Sequence, residues 1–93
     1  MAYLEITMQV PTGNRAAAEA VYRKYLQPFL DQVRGATAKV YLEREKDVQV
    51  LHTFDTTENA EAYLQSDLFT ADVVTELGPL LAGDPDFRIY EAK

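Results

Sequence analysis

His52 is the only histidine of the chain and the side chain best suited to proton transfer near neutral pH. It stands in a run from 48 to 54 where Val48, Val50, His52 and Phe54 alternate with Gln49, Leu51 and Thr53. Such alternation predicts a strand with His52 on its apolar face. An imidazole of near-neutral pKa on that face is a candidate general base. The alternative is a structural histidine, hydrogen-bonded to a neighbouring strand or helix.

Composition excludes most other catalytic chemistry. The 93 residues contain no cysteine, which excludes thiolate nucleophiles, disulfides and iron–sulfur clusters. One histidine per chain cannot build a two-histidine metal site, so we expect no metal within a subunit. The sequence also lacks a phosphate-binding glycine-rich loop and a nucleophile-elbow motif.

The charge pattern argues against nucleic acid and membrane partners. Nine Lys and Arg residues are scattered through a chain of net charge −6, with no basic stripe for a phosphate backbone. No apolar run approaches the roughly 18 residues of a membrane span. The first residues lack the features of a secretory signal, so a cytoplasmic location is expected.

The periodicity predicts six elements in one domain over residues 1–93. Four alternating runs indicate strands at 3–10, 37–43, 48–54 and 86–91. Apolar residues at spacings of three and four indicate a helix from the cap Asn14 to Val33, and a second helical region from the cap Asp55 to Leu77 with a break at Ser66. The order strand-helix-strand-strand-helix-strand is typical of an α+β, ferredoxin-like sheet with both helices on one face.

Such a sheet leaves its second face uncovered. In the strand 37–43 we expect Ala38, Val40 and Leu42 to face the helices. The uncovered face is then predicted to carry Tyr3, Thr7, Tyr41, Leu51 and Tyr90 beside Glu5, Gln9 and Lys39. So many aromatic side chains favour a homodimer with opposed sheets. The alternative is that these tyrosines simply tolerate partial exposure.

Two segments resemble the antibiotic biosynthesis monooxygenase (ABM) domain family. In LHTFDTTENAEAYLQSDLF, from Leu51 to Phe69, a strand ends in an aromatic residue and is followed by an acidic cap, an alanine-rich helix and a Ser-x-x-Phe restart. The tail GPLLAGDPDFRIY, from Gly78 to Tyr90, is similar to the same family. The resemblance implies a dimeric α+β barrel with an apolar pocket between the sheet and the helices of each subunit.

The family includes cofactor-free monooxygenases of quinols and anthrone-like polyketides, and this resemblance implies such an activity here. The expected reaction uses no cofactor, with His52 as the base and an aromatic small molecule as substrate. The pocket is expected to be shaped by Ile6, Met8, Tyr25, Phe29, Phe54, Tyr63, Phe69 and Val73. A drug-sized substrate needs a cavity of at least ~300 Å³.

Other activities of the family stay open to different degrees. The haem-degrading branch places an Asn, a Trp and a His at positions that correspond to Ile6, Phe54 and Val73, which are all apolar, so haem degradation is disfavoured. A non-catalytic dimer that binds a small molecule in the same pocket is one alternative. An isomerase of a small oxygenated metabolite, with His52 moving a proton, is another.

Overall fold

A computed structural model describes residues 1–93, and its four strands form one antiparallel sheet in the order β2-β3-β1-β4. The strands are β1 (Ala2–Met8), β2 (Ala36–Glu43), β3 (Val48–Phe54) and β4 (Asp86–Glu91). β2 and β3 make the predicted hairpin, while β1 lies between β3 and β4. This order confirms the ferredoxin-like fold predicted from the sequence.

The helices pack against one face of the sheet. α1 (Arg15–Gln32) connects β1 to β2, and α2 (Thr57–Leu64) follows β3. The predicted break after α2 is present: the Ser66 hydroxyl donates to the Tyr63 carbonyl and accepts from the Phe69 amide. Beyond it the chain forms a π-helical segment (Leu68–Val73) and the short helix α3 (Val74–Leu77). None of the helices has the length and apolar character needed to cross a membrane.

The core lies between the helices and the inward face of the two central strands. Along β1 every second residue, from Ala2 through Leu4 and Ile6 to Met8, is buried. The same alternation on β3 buries Val48, Val50, His52 and Phe54, as the sequence predicted. Burial on both central strands follows from their two-residue repeat, because every second side chain points toward the helices.

β2 presents the opposite face from the one predicted. Ala36 pairs with Phe54 and Ala38 pairs with the next residue, Thr53, so Thr37 is an extra residue that forms a β-bulge. One extra residue reverses the facing of all that follow. Lys39 and Tyr41 therefore point toward the helices. The prediction that Ala38, Val40 and Leu42 face the core is wrong.

The outward face of the sheet is mixed in character. Its most exposed apolar side chains are Val40 at 44%, Leu42 at 46% and Tyr90 at 47% of their full area. Tyr3 pairs with Tyr90 across β1 and β4, and the neighbouring pair on the same face joins Glu5 to Arg88. Asp86, opposite Thr7, lies on this face too and accepts from Arg88 at 2.8 Å. The face thus combines an apolar part with two acidic side chains and one basic side chain.

Local geometry fixes the junction between β3 and α2. Thr56, rather than the predicted Asp55, caps α2, because its hydroxyl accepts from the Asn59 amide at 3.1 Å. The Asp55 carboxylate instead accepts from the Asn59 side chain at 2.8 Å. Gly35 packs here with a φ of +80°, and a Cβ at that position would collide with the Asp55 carboxylate.

Candidate functional site

A mostly apolar cavity of about 120 Å³ lies between the sheet and the helices. Fifteen of its nineteen lining residues are hydrophobic. Of the eight residues expected to shape a pocket, the wall contains Ile6, Met8, Tyr25, Tyr63, Phe69 and Val73. His52 also lines the cavity, so the structure brings seven of the nine sequence-predicted site residues to one place.

Phe29 and Phe54 do not line the cavity, contrary to the expectation. Both are fully buried, and their rings meet edge to face at 5.6 Å. The Phe29 ring also packs against the His52 ring at 5.4 Å and the Tyr63 ring at 5.1 Å. Phe29 therefore supports the imidazole from the core, Phe54 packs against Phe29, and neither lines the cavity.

The ring of His52 is held in one tautomer. Its side chain is only 2% exposed, and Nδ1 lies 3.0 Å from the backbone carbonyl oxygen of Leu4 on the adjacent strand β1. A carbonyl oxygen can only accept a hydrogen bond, so Nδ1 carries the proton in the neutral ring. The lone pair of His52 is then on Nε2, the nitrogen that could accept a proton from a ligand.

Burial makes His52 a weaker base than the sequence suggested. Burial, followed by the charge of Lys39, lowers the pKa of His52 from 6.5 to about 3. Hydrogen bonds to the backbone of Leu4 and Val50 act in the opposite direction but are smaller. The near-neutral pKa expected from the sequence is therefore wrong, and the imidazole is neutral at physiological pH.

Lys39 is a cavity residue that the sequence reasoning missed. It is 8% exposed, lines the cavity and pairs with His52 across β2 and β3. Burial lowers the pKa of Lys39 from 10.5 to about 8. The bulge at Thr37 turns this side chain inward, and no local pattern in the sequence marks that bulge.

Two tyrosine hydroxyls in the cavity wall have no hydrogen-bond partner in the protein, although both are buried. They belong to Tyr41 and Tyr63. Burial raises the pKa of both phenols, so each stays protonated and can donate. By contrast Tyr22 donates to the Lys39 carbonyl at 2.9 Å, and Tyr25 donates to Glu76. Unpaired buried hydroxyls are uncommon. Both oxygens are covered by protein atoms, so Tyr41 and Tyr63 become ligand contacts only if their rings turn toward the cavity.

The cavity is smaller than the ~300 Å³ expected for a drug-sized aromatic substrate. Its volume is about 120 Å³, whereas an apolar cavity of about 150 Å³ can take up benzene. The space therefore holds at most a single aromatic ring, which excludes a fused polycyclic system. Phe69 and Val73 of the π-helical segment form part of its wall, and such segments are frequent at functional sites.

Comparisons with known proteins identify the fold. No protein-family model matches the chain, and no curated protein matches it either. Among solved structures, a "putative antibiotic biosynthesis monooxygenase" from Caulobacter crescentus CB15 superposes with a TM-score of 0.84 at 18% identity, over 99% of this chain and 89% of that one. A protein of the same description from Bordetella bronchiseptica gives 0.83 at 18% identity, covering 99% and 97%.

A third structure with that description, from Nitrosomonas europaea, gives a TM-score of 0.82 at 14% identity over 99% of this chain and 98% of the other. Identities this low establish a shared fold and leave the chemistry to be argued from the residues of the site. The observed fold is therefore the one implied by the resemblance of the segments Leu51–Phe69 and Gly78–Tyr90. This chain has the antibiotic biosynthesis monooxygenase fold.

Proposed function

We propose that the protein is a cofactor-independent monooxygenase that oxidises a single-ring phenol or quinol in the cavity beside His52. The observation that carries this proposal is a neutral imidazole, protonated on Nδ1, in the wall of a mostly apolar cavity the size of one aromatic ring. The names of the structurally similar proteins support the reaction class.

The reaction balances without an added reductant. A quinol and O₂ give a hydroxylated quinone and water, so one oxygen atom enters the ring and the other leaves as water. The quinol supplies all four electrons. Ground-state O₂ is a triplet and accepts electrons one at a time, which favours an electron-rich substrate anion. The apolar wall limits access of water to that anion.

In this mechanism Nε2 of His52 takes the proton of a substrate hydroxyl, and the imidazolium returns it as water leaves. With a pKa of about 3 in the empty cavity, the ring is a weak base on its own. The proton therefore transfers only where the resulting phenolate stays beside the imidazolium, since the opposite charges stabilise each other. The Tyr63 ring lies 5.6 Å from the His52 ring and its hydroxyl has no partner in the protein, which supports a role for Tyr63 as a donor to the substrate.

Oxygen uptake with a panel of single-ring phenols and quinols tests the proposal. We expect His52→Leu to lower kcat by about 100-fold or more, the usual contribution of a positioned base. Val48→Ala is the matched control, because Val48 lies buried on the same face of β3 but does not line the cavity. Equal rates for wild type and His52→Leu would remove His52 from the mechanism. No uptake by the wild type with any of these substrates would refute the activity.

Binding without turnover is a second candidate, favoured by the small volume of the cavity and the low pKa of His52. It predicts that a single-ring phenol raises Tm by mass action while oxygen consumption stays at background. The two candidates are separated by measuring both quantities on one sample.

The proposal includes a homodimer with opposed sheets. It is supported by the exposed apolar side chains of the outward face, together with Glu5 and Arg88, which a two-fold axis can place opposite each other. Light scattering after gel filtration should give twice the monomer mass. Leu42→Glu should shift the mass toward the monomer, whereas Lys46→Glu in the exposed β2–β3 connection should not. A monomeric wild type would refute the dimer.

A further inference from the structure

Lys39 is the least expected side chain in the cavity wall. The bulge in β2 turns it toward the helices, where it is 8% exposed and pairs with His52 across the two strands. A buried ammonium group normally has a carboxylate or several hydrogen-bond acceptors around it, because removing the charge from water is costly. The groups around the Lys39 ammonium therefore indicate whether it pairs with the protein itself or is available to a ligand.

The protein provides no anionic partner for Lys39. Its Nζ takes part in none of the five salt bridges and in no side-chain hydrogen bond. The groups that contact it are aromatic: Nζ lies 5.0 Å from the centre of the Phe29 ring and 5.9 Å from that of Tyr22. These ring faces attract a cation, but they do not neutralise it. No carboxylate lines the cavity, and Glu76 of α3 is already bonded to Lys24 and Tyr25.

The other polar groups of the wall are complementary to an anion. Tyr41 and Tyr63 line the same wall as Lys39, and their hydroxyls are donors without acceptors. Both oxygens are covered by protein atoms and have to turn toward a ligand in order to bond it. An ionised oxygen can accept hydrogen bonds from an ammonium group and hydroxyls together. His52 lines the same cavity, and Nε2 of its neutral ring is an acceptor, which suits a ligand that also carries a hydroxyl.

We propose that Lys39 is the anion-binding group of the cavity and that it holds an ionised oxygen, phenolate or carboxylate, of a single-ring aromatic ligand, assisted by Tyr41 or Tyr63. The inference rests on the cavity of the proposed function being the ligand site, but it does not require turnover. It names the substrate class of that site as an aromatic acid or an acidic phenol. It also supplies the positive charge that stabilises the anion formed by proton loss to His52.

The overall charge of the protein supports Lys39 as the source of any preference for an anion. With a net charge of −6, the chain as a whole repels anions. Any preference for an anionic ligand must therefore come from a local group, and Lys39 is the lysine in the cavity wall. Removing this one charge should abolish the preference rather than reduce it slightly.

The test uses 4-nitrophenol, a phenol that ionises near neutral pH and whose anion absorbs visible light. Titrating the bound probe with acid and base reports the pKa of its hydroxyl in the cavity. For wild type we expect this pKa to fall by about one pH unit, which is a tenfold preference for the phenolate. With Lys39→Met the pKa should return to its value in water or rise above it, because the cavity is then apolar.

Two controls keep the result interpretable. Lys46→Met removes the same charge from the exposed connection between β2 and β3 and should leave the shift intact. Benzoate and benzamide, which have nearly the same shape, form a second pair: we expect wild type to bind benzoate about tenfold more tightly by calorimetry, and Lys39→Met to lose that difference. No binding by wild type, no shift for the bound probe, or an unchanged shift in Lys39→Met would overturn the proposal.

These readouts involve no oxygen chemistry. Phenolate binding that depends on Lys39, without oxygen uptake from any phenol, would refute the monooxygenase activity and keep the anion site. Oxygen uptake that is unaffected by Lys39→Met, with no preference for benzoate, would refute the anion site alone.

Discussion

Replacing Lys39 with methionine should stabilise the protein, because the wild type keeps an unpaired charge in its interior. The side chains have similar lengths, so methionine fills most of the same space. A pKa lowered from 10.5 to about 8 corresponds to about 3 kcal/mol of destabilisation at pH 7, at 1.36 kcal/mol per pH unit. Loss of the contacts with the rings of Tyr22 and Phe29 returns about 1 kcal/mol. The expected net gain is about 2 kcal/mol.

The pH dependence of this gain distinguishes charge from packing. Between pH 8 and 10.5 the unfolded chain keeps the proton on Lys39 while the folded protein has released it. The unfolded state thus binds more protons, and wild-type stability rises with pH in this window. The advantage of Lys39→Met should shrink by up to about 1.4 kcal/mol per pH unit there. Below pH 8 it should be constant.

Urea unfolding at fixed protein concentration, at pH 7 and at steps up to 10.5, measures both quantities. Lys46→Met provides the baseline for loss of one exposed positive charge, with an expected change within about 0.5 kcal/mol. A Lys39→Met variant that is less stable than wild type at pH 7, or an advantage that does not change up to pH 10.5, would show that the charge of Lys39 is not buried as described.

Three further predictions concern single positions. The pKa of His52 in the folded protein is about 3, below the ordinary 6.5, so the unfolded chain takes up the proton first and the free energy of unfolding falls as pH drops from 6.5 toward 3. The difference in urea midpoint between wild type and His52→Leu should therefore fall with pH over this range. A difference that stays constant would contradict the prediction. Gly35→Ala should cost about 2 kcal/mol or more by thermal unfolding, because φ is +80° and Asp55 blocks a Cβ; Gly13→Ala, in open space, should cost less than about 0.5 kcal/mol. Thr56→Ala should lower stability by about 1 kcal/mol through loss of the α2 cap, whereas Thr56→Ser keeps the hydroxyl and should stay near wild type; equal losses in the two variants would mean that the cap is not the cause.

Local sequence patterns were sufficient to predict the central part of the fold. Strands β1 and β3 have buried and half-buried residues in strict alternation, so their inward faces could be predicted, His52 included. Helix α1 and the break at Ser66 also follow from spacing and residue type within one or two turns. These elements depend on interactions between residues close in sequence or on burial against one continuous core, and both leave a periodic signal.

The capping of α2 shows the limit of such reasoning. Asp55 and Thr56 are both good caps by residue type. The choice of Thr56 depends on where Asp55 is held, and that is set by Gly35, whose carbonyl accepts from the Asp55 amide at 2.9 Å. A contact between residues twenty positions apart leaves no mark in the local sequence.

The sequence by itself determined the succession of strands and helices, the inward direction of His52 and six of the eight residues expected to shape the pocket, because a two-residue or 3.6-residue repeat already specifies which side chains face a core. Only the tertiary structure decided the facing of β2. The bulge at Thr37 arises from the register of β2 against β3, a long-range pairing, and it turns Lys39 and Tyr41 inward. The charge of the cavity wall, and with it the proposed class of ligand, follows from that single extra residue.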